Sequence, residues 1–177
     1  MAKAELYPIA VTVNGQATTF VYDGDGSRVK GTVNGVTTAY VGNSYEYNVS
    51  TGVATSYYYA GSTRVAMRQG GAVYYLHADH LGSTSLATCG NAGGCNGTPN
   101  GAEIPGSRTG YYPYGVTRYG GTGLPTDRRF TGQRSEAATL GSLYDFGARA
   151  YSPYLNRWIQ PDTIVPQPGN PQTLNRY

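Results

Sequence analysis

Seven glycine-centred turn signals fall between Ile9 and Leu86, spaced eight to eleven residues apart. They are Asn14-Gly15, Asp25-Gly26, Asn34-Gly35, Gly42-Asn43, Thr51-Gly52, Gly61-Ser62 and Gly70-Gly71. Turns this close together leave room for short antiparallel strands and for little helix. Asn-Gly suits the two positive φ angles of a type I′ turn, so Asn14-Gly15 and Asn34-Gly35 mark the firmest hairpins. The intervening runs, 17–22, 36–41, 53–59 and 72–77, are rich in Val, Thr and Tyr, as strands are. The expected fold is all-β: an antiparallel meander of short hairpins, then an irregular core, with negligible helix.

Along the strand at 17–22, Thr18, Phe20 and Tyr22 alternate with Ala17, Thr19 and Val21, which predicts a sheet packed on one side. Tyr57, Tyr58 and Tyr59 place rings on both faces, so a strand covered on both sides or a ladder of stacked tyrosines is expected there. The 18 Tyr against 3 Phe and 1 Trp make the surface neutral-polar and adhesive. Tyr57, Tyr58 and Tyr59 are therefore candidate packing and assembly residues, and exposed strand edges call for closure, cover or a partner.

Charge excludes some functions. A net charge of +3 is dispersed, with no basic stripe, and no nucleic-acid partner is expected. Arg128-Arg129, the densest basic pair, reads as solvated. No apolar run approaches the ~20 residues that span a bilayer, and the first residues carry no hydrophobic signal region. Export, if it occurs, is expected to depend on something outside this sequence.

Both histidines, His77 and His80, lie in Val73 to Ser85, where a strand gives way to a turn. A loop follows from Cys89 to Ser107, and its length marks function or flexibility. Two stretches carry a family likeness. Phe20-Val-Tyr-Asp-Gly-Asp-Gly-Ser-Arg-Val29 resembles one unit of the tyrosine-aspartate (YD) repeat of Rhs proteins, and Ser56 to Met67 resembles a degenerate copy. Tyr75 to Thr84 is followed by Tyr111-Tyr-Pro-Tyr-Gly115, Arg129-Phe-Thr-Gly-Gln-Arg134, Tyr144-Asp-Phe-Gly-Ala-Arg149, Tyr151-Ser-Pro153, Leu155-Asn-Arg-Trp-Ile159 and Pro161-Asp162. In order and spacing this series resembles the Rhs repeat-associated core domain.

The resemblance implies a division into a repeat-like hairpin region (1–88), a flexible cysteine-containing loop (89–108), core motifs (109–162) and an extended proline-rich tail (163–177). Residues 73–162 together match the core domain. It also implies chemistry, because the family core closes a hollow β shell and releases a C-terminal passenger with paired aspartates. Asp162 matches the first of these. Thr163, Asn156, Ala150 and Ser152 depart from the usual pattern. An aspartyl mechanism needs two carboxylates sharing a proton, and 163–177 contain no Asp or Glu. Only Asp127 or Asp145 could substitute, so the dyad reads as incomplete and the chain as non-enzymatic.

The remaining candidates are weighed on their own residues. His77, His80, Cys89 and Cys95 could supply a tetrahedral zinc site. Alternatively, Cys89 and Cys95 form a small disulfide loop or remain free thiols. Asp23 to Ser27 resembles the opening of a calcium loop, but position twelve would be Asn34, and a plain turn is expected. His77, His80 and Asp79 read as hydrogen-bonded groups at a strand end rather than a catalytic set. Asn48-Val-Ser50 and Asn96-Gly-Thr98 are glycosylation sequons. No cofactor is expected.

These readings point to a structural module of a secreted or cell-surface Rhs-type protein. Its partner is expected to be a second copy, through edges and tyrosines in a filament, tube or shell, or a longer Rhs shell. The alternative is the remnant of a toxin-encapsulating precursor whose core plugs the shell and cuts itself, with Tyr177 a processed end.

Overall fold

Alternating apolar residues between glycine turns build one nine-stranded antiparallel sheet whose spatial order follows the chain. Its strands are β1 (Ala10–Val13), β2 (Gln16–Tyr22), β3 (Arg28–Val33), β4 (Val36–Val41), β5 (Tyr45–Asn48), β6 (Val53–Ala60), β7 (Thr63–Gln69), β8 (Ala72–Ala78) and β9 (Thr84–Cys89). The computed structural model describes residues 9–13, 15–91, 94–136, 142–147, 149–162 and 169–170. Apart from 169–170, the expected tail at 163–177, with Tyr177, lies outside the described residues, as does Asn14. A single 3-10 turn is the only helical element among them, so the protein is all-β.

Asn34 and Gly35 sit at φ 49° and 81°, the two positive angles that let β3 and β4 pair across a two-residue turn. A second kind of turn recurs four times. In Asp23–Ser27, Asp79–Ser83, Tyr112–Val116 and Arg129–Gln133 the first residue's N–H donates to the fifth carbonyl at 2.8 to 2.9 Å. The fourth residue's N–H donates back to the first carbonyl at 2.9 to 3.1 Å. That fourth residue is glycine each time, with φ from 71° to 91°. In the first two copies the opening aspartate also accepts two backbone N–H bonds on Oδ1: Asp23 from Asp25 and Ser27, Asp79 from Leu81 and Ser83. Asp23 to Ser27, where a plain turn is expected, is thus a turn braced by its own aspartate.

The second part of the chain lies on one face of this sheet. It contains β10 (Thr109–Tyr111) paired with β11 (Thr117–Gly120), and a four-stranded sheet of β12 (Arg134–Ser135), β13 (Tyr144–Asp145), β14 (Ala150–Ser152) and β15 (Arg157–Trp158). The main core joins Tyr57, Met67, Tyr74, Leu76, Ala87, Cys89, Cys95 and Leu124, with Ile104 packed against them.

From that core the chain retraces the sheet backwards as a strap. Thr126 meets Tyr57 of β6 at 3.2 Å, Arg134 meets Glu46 of β5, and Glu136 and Asp145 meet Arg28 of β3. The strap covers β2 to β6 on their Phe20, Tyr40 and Tyr57 side. The opposite side stays open, and Tyr58, expected to be covered or stacked, is 47% exposed there. Cross-strand register puts Tyr58, Ala66 and Tyr75 in one row of that side, with Tyr75 also exposed.

The two ends of the sheet differ. β9 has its outer edge paired by its own chain, through Cys89 N–H to Ala102 O, Ile104 N–H to Ala87 O and Gly101 N–H to Cys89 O. These bonds belong to the stretch expected to be a flexible loop, where Cys95, Thr98 and Ser107 are buried. The Ser107 hydroxyl bridges the backbone of Ala87, accepting from its N–H and donating to its carbonyl. At the other end, β1 is the terminal strand among the described residues.

Candidate functional site

The chemically densest place in the protein is the seam between strap and sheet. Arg28, Arg128 and Arg134 all have side chains no more than 7% exposed. Each lies over an aromatic ring of the sheet: Arg28 over Phe20 at 4.1 Å, Arg134 over Tyr40 at 4.0 Å, Arg128 over Tyr57 at 5.7 Å. Alternate strand positions aim these rings at the strap, and the guanidiniums stack on them as cations on π faces.

Burying three cations requires carboxylates beside them. Glu46 accepts from Arg128 at 3.2 Å and from Arg134 at 2.6 Å. Asp127 stands 3.1 Å from Arg134, and Arg28 binds both Glu136 and, at 3.1 Å, Asp145. Burial opposes the charge on Arg134, but Asp127 and Glu46 outweigh it, so its pKa rises. Burial also raises the Tyr40 hydroxyl and pushes Tyr57 up to about 12. The seam is a set of matched charges and fixed rings, a clasp rather than a reacting centre. Arg128, read as half of a solvated pair, is a buried member of this clasp. Arg129, its neighbour, donates to Gly121 O at 2.8 Å.

The candidate aspartates Asp162, Asp127 and Asp145 each face a guanidinium. Asp162 pairs with Arg149 at 3.3 Å, and that guanidinium lies over Trp158 at 4.3 Å. Trp158 in turn meets Phe146 and Tyr151 edge-on at 5.0 and 5.4 Å. Asp127 and Asp145, the two residues able to substitute as its partner, are engaged by the buried arginines of the clasp.

Cys89 and Cys95 are joined to each other as a disulfide, with no free cysteine. Two bonded sulfurs are not thiolate ligands, so the weighed zinc set of His77, His80, Cys89 and Cys95 does not assemble. No group of three or more His, Cys, Asp or Glu placed to hold a metal occurs among the described residues. His77 Nε2 lies 3.0 Å from the Thr88 hydroxyl, while His80 is exposed on the Asp79 turn. The Asp79 carboxylate faces backbone donors there and does not orient an imidazole.

Of the tyrosines, Tyr57 is buried against the strap, whereas the Tyr59 hydroxyl donates to Asn43 O at 2.9 Å. Asn48 Oδ1 accepts from Thr51 N–H, inside a turn. Asn96 is exposed at φ 51°, with Thr98 of its sequon buried. The clasp escaped sequence reasoning because its ion pairs between sheet and strap join residues 82 to 117 apart, from Glu46–Arg128 to Arg28–Asp145. No helix among the described residues is long and apolar enough to cross a membrane.

No protein-family model and no curated protein matches the chain. Solved structures do. The crystal structure of TcdB2-TccC3-Cdc42 aligns over 92% of this chain with a TM-score of 0.64 at 21% identity. That of TcdB2-TccC3 without its hypervariable C-terminal region aligns over 90% with 0.62 at 22%. The Photorhabdus luminescens Tc holotoxin pore aligns over 92% with 0.62 at 21%. In each case the match spans only 8% of the neighbour's length. A likeness at this identity is one of fold, and the fold is consistent with the Rhs-type β sheet that the motifs resemble.

Proposed function

We propose that this chain is a structural, non-enzymatic β module of a secreted or cell-surface Rhs-type protein, and that it joins its sheet to another of the same kind through β1. The observation that carries the reading is the contrast between the two ends of the sheet. β9 is closed by the backbone of 101–104, while no described residue pairs with the outer side of β1. Phe20 N–H donates to Ile9 O, and alternation along the antiparallel ladder then turns the N–H groups of Ala10 and Thr12 outward. An outward row of donors and acceptors is a template for strand addition. The exposed tyrosines of the open side, Tyr58 on β6 and Tyr75 on β8, add adhesive area farther along the same sheet. The neighbours found by structure are parts of multi-chain complexes, which fits a module that works inside a larger assembly.

The partner of β1 is a second copy of the chain when it is purified alone, and a longer Rhs shell when one is present. Light scattering and electron microscopy of the purified chain across a concentration series test this. Growth into oligomers is expected, and Thr12→Pro, which removes an outward donor, is expected to keep the chain monomeric. A wild-type chain that stays monomeric at high concentration overturns self-association. The alternative, self-cleavage, is the weaker reading because Asp162, Asp127 and Asp145 each face a guanidinium.

A further inference from the structure

At one end of the sheet a cleft of about 530 Å³ opens between the β4–β5, β6–β7 and β8–β9 turns and the Arg128–Gln133 segment. Its wall includes Arg64, Arg128 and His80, with Tyr59, Asn43 and Gln133, and no Asp or Glu is among the described residues lining it. Arg128 is already paired with Glu46. Arg64 has no carboxylate partner among the described residues, although five other arginines do.

Arg64 is nevertheless held in place. Its Nε and Nη2 donate to the Tyr59 hydroxyl at 3.2 and 3.0 Å, and Nη1 donates to Gly132 O at 3.1 Å. Its guanidinium sits 5.0 Å from the Tyr57 ring and 5.3 Å from that of Tyr59. Gly132 is presented by a turn in which Thr131 adopts φ 48°, unusual for a β-branched residue, with Thr131 N–H donating to the Ser83 hydroxyl. Three bonds to neutral acceptors use three of the five guanidinium donors and leave two, on a fixed cation, facing no anion.

We propose that this cleft is a binding site for an acidic sugar, with the carboxylate of a uronic acid unit on Arg64 and His80. A planar carboxylate matches the remaining guanidinium donors. The partly exposed Tyr59 ring gives the sugar an apolar wall, and the amides of Asn43 and Gln133 match its hydroxyls. A neutral sugar would leave Arg64 without its counter-charge, and a bare inorganic anion would leave the ring wall and the amides unused.

Chemical-shift titration of the full chain with D-glucuronate, D-glucose and inorganic phosphate tests the site. Glucuronate is expected to shift Tyr59, Arg64 and Gly132 saturably, with glucose and phosphate far weaker. Arg64→Gln is expected to weaken glucuronate binding about tenfold or more, the scale of a lost charge-assisted pair. Because Arg64 also holds Gly132, His80→Glu is the second variant: it lies on an exposed turn, leaves the sheet intact and places a like charge at the rim. Equal binding of glucose or phosphate, no shifts at these residues, or undiminished glucuronate affinity in folded His80→Glu would each overturn the assignment.

Discussion

Arg134 reaches back 88 residues to donate to Glu46 Oε1 at 2.6 Å, while its guanidinium rests 4.0 Å above the Tyr40 ring. The same Glu46 oxygen accepts from Arg128, so one carboxylate of β5 fastens two points of the returning strap. Both guanidiniums are withdrawn from water, where a cation is stable only beside its counter-charge. Glu46→Gln keeps the shape and removes that charge. It is expected to cost about 3 kcal/mol of stability, measured as a lower denaturation midpoint with an unchanged slope.

Two glycines separate packing from conformational strain. Gly120 has φ 67°, and a Cβ there would collide with the Arg108 carbonyl, where the β10–β11 pair closes. Gly35 has φ 81° in the β3–β4 turn with nothing within 4 Å of the same position. Gly35→Ala therefore meets only the left-handed backbone penalty, about 1 kcal/mol. Gly120→Ala must also displace backbone and is expected to cost about 3 kcal/mol or more. Thermal unfolding of the two variants side by side reads the difference.

The hairpin ladder was legible because a turn such as Asn34-Gly35 is specified by its own residues, and the alternation of Thr18 and Phe20 with Thr19 and Val21 needs no distant partner. The clasp was not. Asp127, Arg128 and Arg129 are adjacent charges that ordinarily face water, and what buries Arg128 is Glu46 together with the Tyr57 ring, both brought by the return of the strap. The side chosen for burial at Tyr57 and Tyr58 depended on that return as well. One signal was readable and passed over: Asp23 to Ser27 and Asp79 to Ser83 share aspartate, glycine and serine at the same spacing, and both fold into the same braced turn.

Buried phenols give the fold an alkaline limit. Desolvation pushes Tyr57 and Tyr111 up to about 12 from an ordinary 10.0. A group whose folded pKa is raised keeps its proton longer in the folded chain. Its contribution is complete below the unfolded value and is lost as pH climbs through the folded one. Stability is therefore expected to hold up to about pH 10 and to fall between 10 and 12, by roughly 3 kcal/mol per phenol. Denaturation midpoints across that range check it, and Tyr57→Phe is expected to flatten the fall.

The Cys89–Cys95 disulfide closes a short loop, six residues in sequence separation, beneath the paired edge of β9. Both residues belong to the core, and Cys89 N–H and carbonyl each bond to the 101–102 backbone. Loop closure this short restricts the unfolded chain by about 2 kcal/mol. Reduction, or the double change Cys89→Ala with Cys95→Ala, is expected to lower the melting temperature by that equivalent. The edge of β9 is expected to lose protection first, read as faster amide exchange at Cys89 and Ile104 than at Met67.

Asp162 offers the sharpest separation between a structural and a self-cleaving chain. Its carboxylate meets Arg149 at 3.3 Å with both side chains partly exposed, and a pair in that setting contributes less than about 1 kcal/mol. Asp162→Asn is accordingly expected to leave the fold intact with a small loss of stability. A catalytic carboxylate would give another result: replacing it would lengthen the product by whatever segment it normally releases. The two alternatives differ in mass. Intact-mass measurement on products of a longer parent gene, wild type against Asp162→Asn, is expected to return one size apart from the substitution itself. A larger product only in the variant would reinstate the aspartyl mechanism and make the Asp162–Arg149 pair its resting state.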